Sequence, residues 1–87
     1  MKLRLGKDWW TYRTSSKLTA NDGVCDFGKK EIVVAESRVY EDEIHELEIE
    51  LHEMTHAIHP DMRETIVRKS ARQLAVALVK LGWHRGR

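Results

Sequence analysis

A chain of 87 residues has room for one small domain, and we expect residues 1–87 to form it. Charged residues make up 33% of the chain, but the formal net charge is only +1, so overall charge gives no reason to expect a nucleic-acid partner. The single cysteine, Cys25, excludes an intrachain disulfide and suits a reducing compartment. The sequence contains neither an apolar leader nor a run of about 20 apolar residues, so we expect a cytoplasmic location without membrane contact.

The first 35 residues favour short β-strands. Aromatic and β-branched residues, separated by turn signals around Gly6 and Gly28, predict strands over residues 3–5, 9–13, 24–27 and 31–35. The polar residues 15–23 predict a loop. Together these elements predict a small antiparallel sheet.

The second half of the chain favours two helices. Apolar residues recur at helical spacing from Tyr40 to about Ile58, acidic residues 41–43 suit the start of that helix, and Pro60 ends it. A second helix is predicted from near Asp61 to Leu81, followed by a glycine cap. The predicted fold class is therefore α+β, with a small antiparallel sheet followed by two antiparallel helices.

An H-E-x-x-H motif, the pattern of zinc hydrolases, lies in the last turns of the first predicted helix at residues 52–56. Residues i and i+4 lie about 40° apart around a helix and about 6 Å apart along it, so His52 and His56 can reach one ion. Glu53 is the candidate general base. His45 lies about 10.5 Å from His52 along the axis, so we expect it on the surface.

A catalytic zinc ion takes three protein ligands, and the third has three candidates here. His59 could share the ion only if the helix ended sharply before Pro60. Asp61 fits the N-cap of the second helix, and Glu64 would then complete a capping box. A tight turn would, however, bring the first turn of the second helix beside the motif. We therefore favour Glu64 as the ligand, with His59 and Asp61 as alternatives.

These residues resemble a known family. Leu47, Leu51 and residues 52–57 match the L-x-x-x-[LI]-H-E-x-x-H-A core of short metallopeptidase-like proteins of phages and prophages, and Glu64 and residues 81–83 (L-G-W) continue the likeness. This is a minimal gluzincin arrangement, distantly similar to ImmA/IrrE-like and SprT-like proteases. The resemblance covers most of the chain. It implies a zincin-like fold and, for a phage-encoded protein, a location in the host cytoplasm.

The same resemblance implies that His52, His56 and Glu64 bind Zn²⁺ and that Glu53 acts as the base. Two residues depart from the family pattern. Thr65 stands where a second acidic residue is common, and Glu50 stands where the residue is usually apolar.

Three functional hypotheses follow. The first is a zinc-dependent metallopeptidase, a monomer or weak homodimer, that hydrolyses a peptide or protein substrate. The second is a non-catalytic, zinc-stabilised binding or regulatory module of a phage or mobile element, and the third is a metal-free helical interaction protein. We interpret the basic residues of the second helix as complements of the acidic first helix or as a solvated face, with nucleic-acid binding as the weaker alternative: Arg63, Arg68, Lys69, Arg72 and Lys80.

Overall fold

The computed structural model describes residues 1–17, 22–36 and 42–85. A four-stranded sheet is followed by two helices, which confirms the predicted α+β class. The elements are β1 (Lys2–Leu5), β2 (Asp8–Ser15), β3 (Gly23–Asp26), β4 (Glu31–Ala35), α1 (Glu43–Ile58) and α2 (Glu64–Lys80). Neither helix in the described ranges has the length and apolarity needed to cross a membrane.

The sheet is mixed, so the prediction of a purely antiparallel sheet is wrong for one pair of strands. The strand order is β1-β2-β4-β3, with antiparallel pairs at both ends and a parallel pair, β2 and β4, in the middle. The chain goes from β2 to the edge strand β3 and then turns back into the centre. Four consecutive residues of β4, from Ile32 to Ala35, are buried, and this strand lies in the interior of the sheet between β2 and β3.

The hydrophobic core lies between the sheet and α1. Its buried cluster combines Leu5, Trp10, Ile32 and Val34 from β1, β2 and β4. Partly buried residues of α1 pack against this cluster: Ile49, Met54 and Ala57. Helix α2 packs on α1, with Val67, Ala71 and Ala75 fully buried. The order of layers is therefore sheet, α1 and α2, and α1 has neighbours on two sides.

Helix α1 begins and ends with clear signals. Asp42 is its N-cap, and Oδ1 of this residue accepts a hydrogen bond from the backbone N–H of His45 at 2.7 Å. The predicted start at Tyr40 falls in residues 37–41, outside the described residues. The helix ends at Ile58, so the predicted stop before Pro60 is confirmed.

The start of α2 corrects the predicted capping box. The N-cap is Arg63, not Asp61, and it makes no side-chain capping bond. Residues 60–62 turn instead of forming helix, with the backbone N–H of Met62 donating to the carbonyl oxygen of His59 at 3.1 Å. Glu64 is therefore the first helical residue, two positions before the N3 position that a capping box requires.

A glycine turn ends α2 and reverses the chain. Gly82 has φ 99°, and its backbone N–H donates to the carbonyl of Val79 at 3.0 Å. The N–H of Trp83 donates to the carbonyl of Leu78 at 3.0 Å, which completes a Schellman motif and confirms the predicted glycine cap. The following residues return to the beginning of α1, where the backbone N–H of Arg85 donates to Glu43 at 2.8 Å.

Candidate metal centre

Two histidines of α1 and the first residue of α2 bring their polar atoms to one point. The Nε2 atom of His52 lies 2.9 Å from Oε1 of Glu64, and Nε2 of His56 lies 2.8 Å from Oε2 of the same carboxylate. The two Nε2 atoms lie 3.2 Å apart. The side chains of His52 and His56 are 17% and 21% exposed and that of Glu64 is 50% exposed, so the group opens to solvent on one side.

Protons cannot satisfy these three contacts together. If both Nε2 atoms carry a proton and donate to Glu64, two donors face each other; if one Nε2 is unprotonated, its lone pair faces the carboxylate. A cation can accept a lone pair from all three groups at once. With ligand bonds of about 2.0–2.1 Å, tetrahedral donor atoms lie roughly 3.3–3.4 Å apart, so a small opening of the observed group is enough. The residues present therefore fit a divalent metal ion.

The geometry also discriminates among the candidate third ligands. Among the described residues, His52, His56 and Glu64 form a group of potential donors within 4.8 Å of one another, and neither His59 nor Asp61 belongs to it. Those two residues line a separate depression beside Pro60. The start of α2 at Glu64 explains this arrangement, because it places the carboxylate of the first helical residue directly against the last turns of α1. His45 lies away from the group, with Nε2 3.3 Å from Oδ2 of Asp22.

Glu53 lies between the metal-ligand candidates and the edge strand β3. A Cβ atom on Gly23 would come within 2.9 Å of Cγ of Glu53, so only glycine leaves this side chain its space. Burial raises the pKa of Glu53 above that of an ordinary glutamate; His52 and His56 oppose the shift and Glu64 adds to it. A raised pKa brings the carboxylate closer to the range in which it can accept a proton at neutral pH.

An open cleft of roughly 420 Å³ joins these residues to β3. Its helical side carries His52, Glu53, His56 and Glu64, and its opposite side carries Gly23, Val24, Cys25 and Phe27. Burial, followed by the negative charges of Glu53 and Asp26, raises the pKa of the Cys25 thiol to about 11. The thiol is therefore neutral at pH 7 and adds to an apolar wall. Val24 and Phe27 are 37% and 48% exposed, so both are accessible from the cleft.

Sequence reasoning missed a second group of polar residues on α1. Glu46 and Glu50 are only 6% exposed, and helical spacing and charge gave no indication that glutamates of this acidic helix would be buried. Arg85 and Tyr12 contact them from distant parts of the chain. The one available signal was Glu50 itself, because it stands where the resembled family usually has an apolar residue.

Comparison with known proteins gave no match: no protein-family model, no curated protein and no solved structure matches this chain.

Proposed function

We propose that this protein is a zinc-dependent peptidase. The observation that carries the proposal is the convergence of His52, His56 and Glu64 to within 3.2 Å of one another, at the edge of a cleft that also contains Glu53. Two imidazoles and one carboxylate are a ligand set that zinc hydrolases use. Hydrogen bonds from both imidazoles to Glu64 leave the contact between the two Nε2 atoms unbonded, whereas a zinc ion would accept a lone pair from all three groups.

The number of ligands favours a catalytic site over a structural one. Structural zinc sites are closed by four protein ligands, and catalytic sites use three. Within the described residues, no further His, Cys, Asp or Glu joins the three donors. A non-catalytic, zinc-stabilised module is the second candidate, and it is favoured by the small core of a chain of this length. That alternative requires a fourth protein ligand or an inert Glu53.

Each side chain has a distinct role in the proposed reaction. His52, His56 and Glu64 would hold the ion, which supplies the Lewis acidity that lowers the pKa of water and polarises a carbonyl group. Glu53 accepts the proton of the attacking water and passes it to the amine that leaves. Its position against Gly23 confines the carboxylate to the space between α1 and β3.

The cleft favours a peptide as the substrate. Among the described residues that line it there is no lysine or arginine, so the cleft has no cationic side chain to hold a phosphate ester. Val24 and Phe27 offer contacts to apolar side chains. Because β3 is the edge strand of the sheet, an extended peptide could add beside it by backbone hydrogen bonds. The single cysteine agrees with a reducing, cytoplasmic location.

The direct test combines metal analysis with cleavage of a mixed peptide library. Protein purified without a histidine tag and reconstituted with zinc should contain about one equivalent of zinc and cleave a subset of peptides. The Glu53→Gln variant should keep the zinc, because the residue is not in the donor group, and should lose roughly 10²- to 10⁴-fold in cleavage rate.

Glu48→Gln is the matched control, since it removes another glutamate of α1 that is paired with Arg72 at 3.1 Å. Its cleavage rate should equal that of the wild type. Absence of zinc after reconstitution would refute the metal site. Full zinc with equal cleavage by wild type and Glu53→Gln would refute the role of Glu53.

A further inference from the structure

Helix α1 carries a second charged cluster that the proposed reaction does not use. Glu46 and Glu50 lie one turn apart, both 6% exposed, on the part of α1 that is near the sheet and the C-terminal residues. The hydroxyl of Tyr12, in β2, donates a hydrogen bond to Oε2 of Glu50. Two carboxylates buried this deeply need compensating donors, because burial of an uncompensated charge costs several kcal/mol.

Arg85 supplies the positive charge. Its Nε donates to Oε1 of Glu46 at 2.5 Å, its Nη2 donates to Oε1 of Glu50, and its backbone N–H donates to Glu43 at 2.8 Å. One residue therefore binds three glutamates on successive turns of α1. Arg85 follows the Gly82 turn, so these contacts also tie the end of α2 to α1.

Two of the polar connections between the helices lie at opposite ends of the hairpin. At the closed end, residues 59–63 join α1 to α2, and Glu64 meets His52 and His56. At the open end, Arg85 holds the first turns of α1, while Tyr12 links Glu50 to the sheet. Since one metal-ligand candidate is on α2 and two are on α1, the separation of their donor atoms depends on how the two helices are set against each other.

We propose that Arg85 is a positioning residue for the metal centre. By clamping Glu46 and Glu50, it fixes the setting of α1 against α2 and the sheet, and so it preorganises His52, His56 and Glu64 for an ion. The inference rests on the metal site of the proposed function but not on catalysis. Residues that hydrogen-bond metal ligands directly contribute about 10- to 100-fold to metal affinity, and Arg85 acts through the position of α1, so we expect an effect near the lower bound.

The test uses Co²⁺ as the probe, because its visible spectrum reports the geometry of the ligands. Arg85→Leu should weaken Co²⁺ binding at least about tenfold and alter the spectrum, under conditions where circular dichroism shows a fully folded protein. Arg85→Lys keeps the charge and should recover part of the affinity. Arg72→Leu is the matched control, because it removes a different arginine–glutamate pair between the helices; its affinity should stay within about twofold of the wild type.

A triple variant covers the case in which Arg85→Leu fails to fold. Glu46→Gln, Glu50→Gln and Arg85→Leu together remove the buried charges along with their partner, so no carboxylate is left uncompensated. This variant should fold but still bind Co²⁺ weakly and with an altered spectrum. Wild-type affinity and spectrum in a folded Arg85→Leu or triple variant would overturn the positioning role. A wild-type protein that binds no Co²⁺ would instead overturn the metal site and, with it, this inference.

Discussion

Helix α1 bears a polar cluster near each end, and the two clusters treat their charges in opposite ways. Near its C-terminal end, His52, His56 and Glu64 lie partly exposed, and protons cannot satisfy all their contacts. Near its N-terminal end, Glu46 and Glu50 are buried, and Arg85 compensates them. The first cluster points three potential metal ligands at one partly exposed position, whereas the second already has its counter-charge within the chain. The first cluster is therefore the candidate binding site, and the second is an internal ion-pair cluster that connects parts of the fold.

The sharpest way to break this comparison is to remove Glu64. Binding of structural zinc is worth about 10–16 kcal/mol in small domains, or about 3 kcal/mol per ligand, so Glu64→Ala should weaken zinc or cobalt affinity about a hundredfold. The side chain is half exposed, so the free energy of unfolding of the metal-free protein should change by less than about 0.5 kcal/mol. Metal titration and urea unfolding in chelator measure the two effects separately.

Asp61→Ala is the control for this prediction, since it removes an acidic residue from the same connection that does not join the donor group. It should leave metal affinity unchanged. Equal losses of affinity in both variants would mean that negative charge in general attracts the ion, and not the arrangement of Glu64 with His52 and His56.

A second prediction concerns Cys25, on the side of the cleft opposite the candidate metal ligands. At pH 8 an ordinary cysteine, with a pKa of about 8.5, is roughly one-quarter thiolate, whereas Cys25 with a pKa of about 11 is almost entirely neutral. Alkylation of the folded, metal-free protein by iodoacetamide should therefore be about a hundredfold slower than alkylation of the urea-unfolded chain. Because the charge of Glu53 contributes to the shift, Glu53→Gln should speed alkylation of the folded protein. If the thiol reacted equally fast in both states, the raised pKa of Cys25 in the folded protein would be refuted.

The grouping of His52, His56 and Glu64 could be predicted from sequence because its information is local. Helical spacing alone brings His52 and His56 together, and one short turn brings Glu64 to them. The contacts of Arg85 could not be predicted in this way. Glu50 and Glu46 precede Arg85 by 35 and 39 residues in the chain, and nothing in this spacing indicates that they pair with it. A glutamate on a charged helix looks solvated until its distant counter-charge is known.

The same limit explains the error in the sheet. The strands themselves were predicted with small differences at their ends, because alternation and turn residues are local signals. The parallel pairing of β2 with β4 depends on β3 occupying the edge, and no local pattern specifies that. The N-cap of α2 was also misassigned, because a backbone turn at residues 60–62 competes with helix there and a capping motif does not reveal that competition.

The smallest predicted effect tests whether the carboxylate of Glu53, beside the candidate metal ligands, destabilises the metal-free fold. The folded protein raises the pKa of Glu53, so folding favours the protonated carboxyl. The stability that this proton contributes is fully present below the ordinary glutamate pKa of about 4.3, and it is lost as pH rises through the higher pKa of the folded state. As pH rises towards 7 the wild type therefore loses stability that glutamine, which does not titrate, keeps. Glu53→Gln should unfold at a higher urea concentration than the wild type at pH 7 in chelator, and the two midpoints should converge towards pH 4.

Glu48→Gln supplies the comparison, since Glu48 pairs with Arg72 and its loss should slightly lower the urea midpoint at neutral pH. If Glu53→Gln also lowered the midpoint at pH 7, the carboxylate of Glu53 would be stabilising the metal-free fold. The charge of Glu53 would then be compensated within the chain, as Arg85 compensates Glu46 and Glu50, and the two clusters of α1 would not differ in this respect.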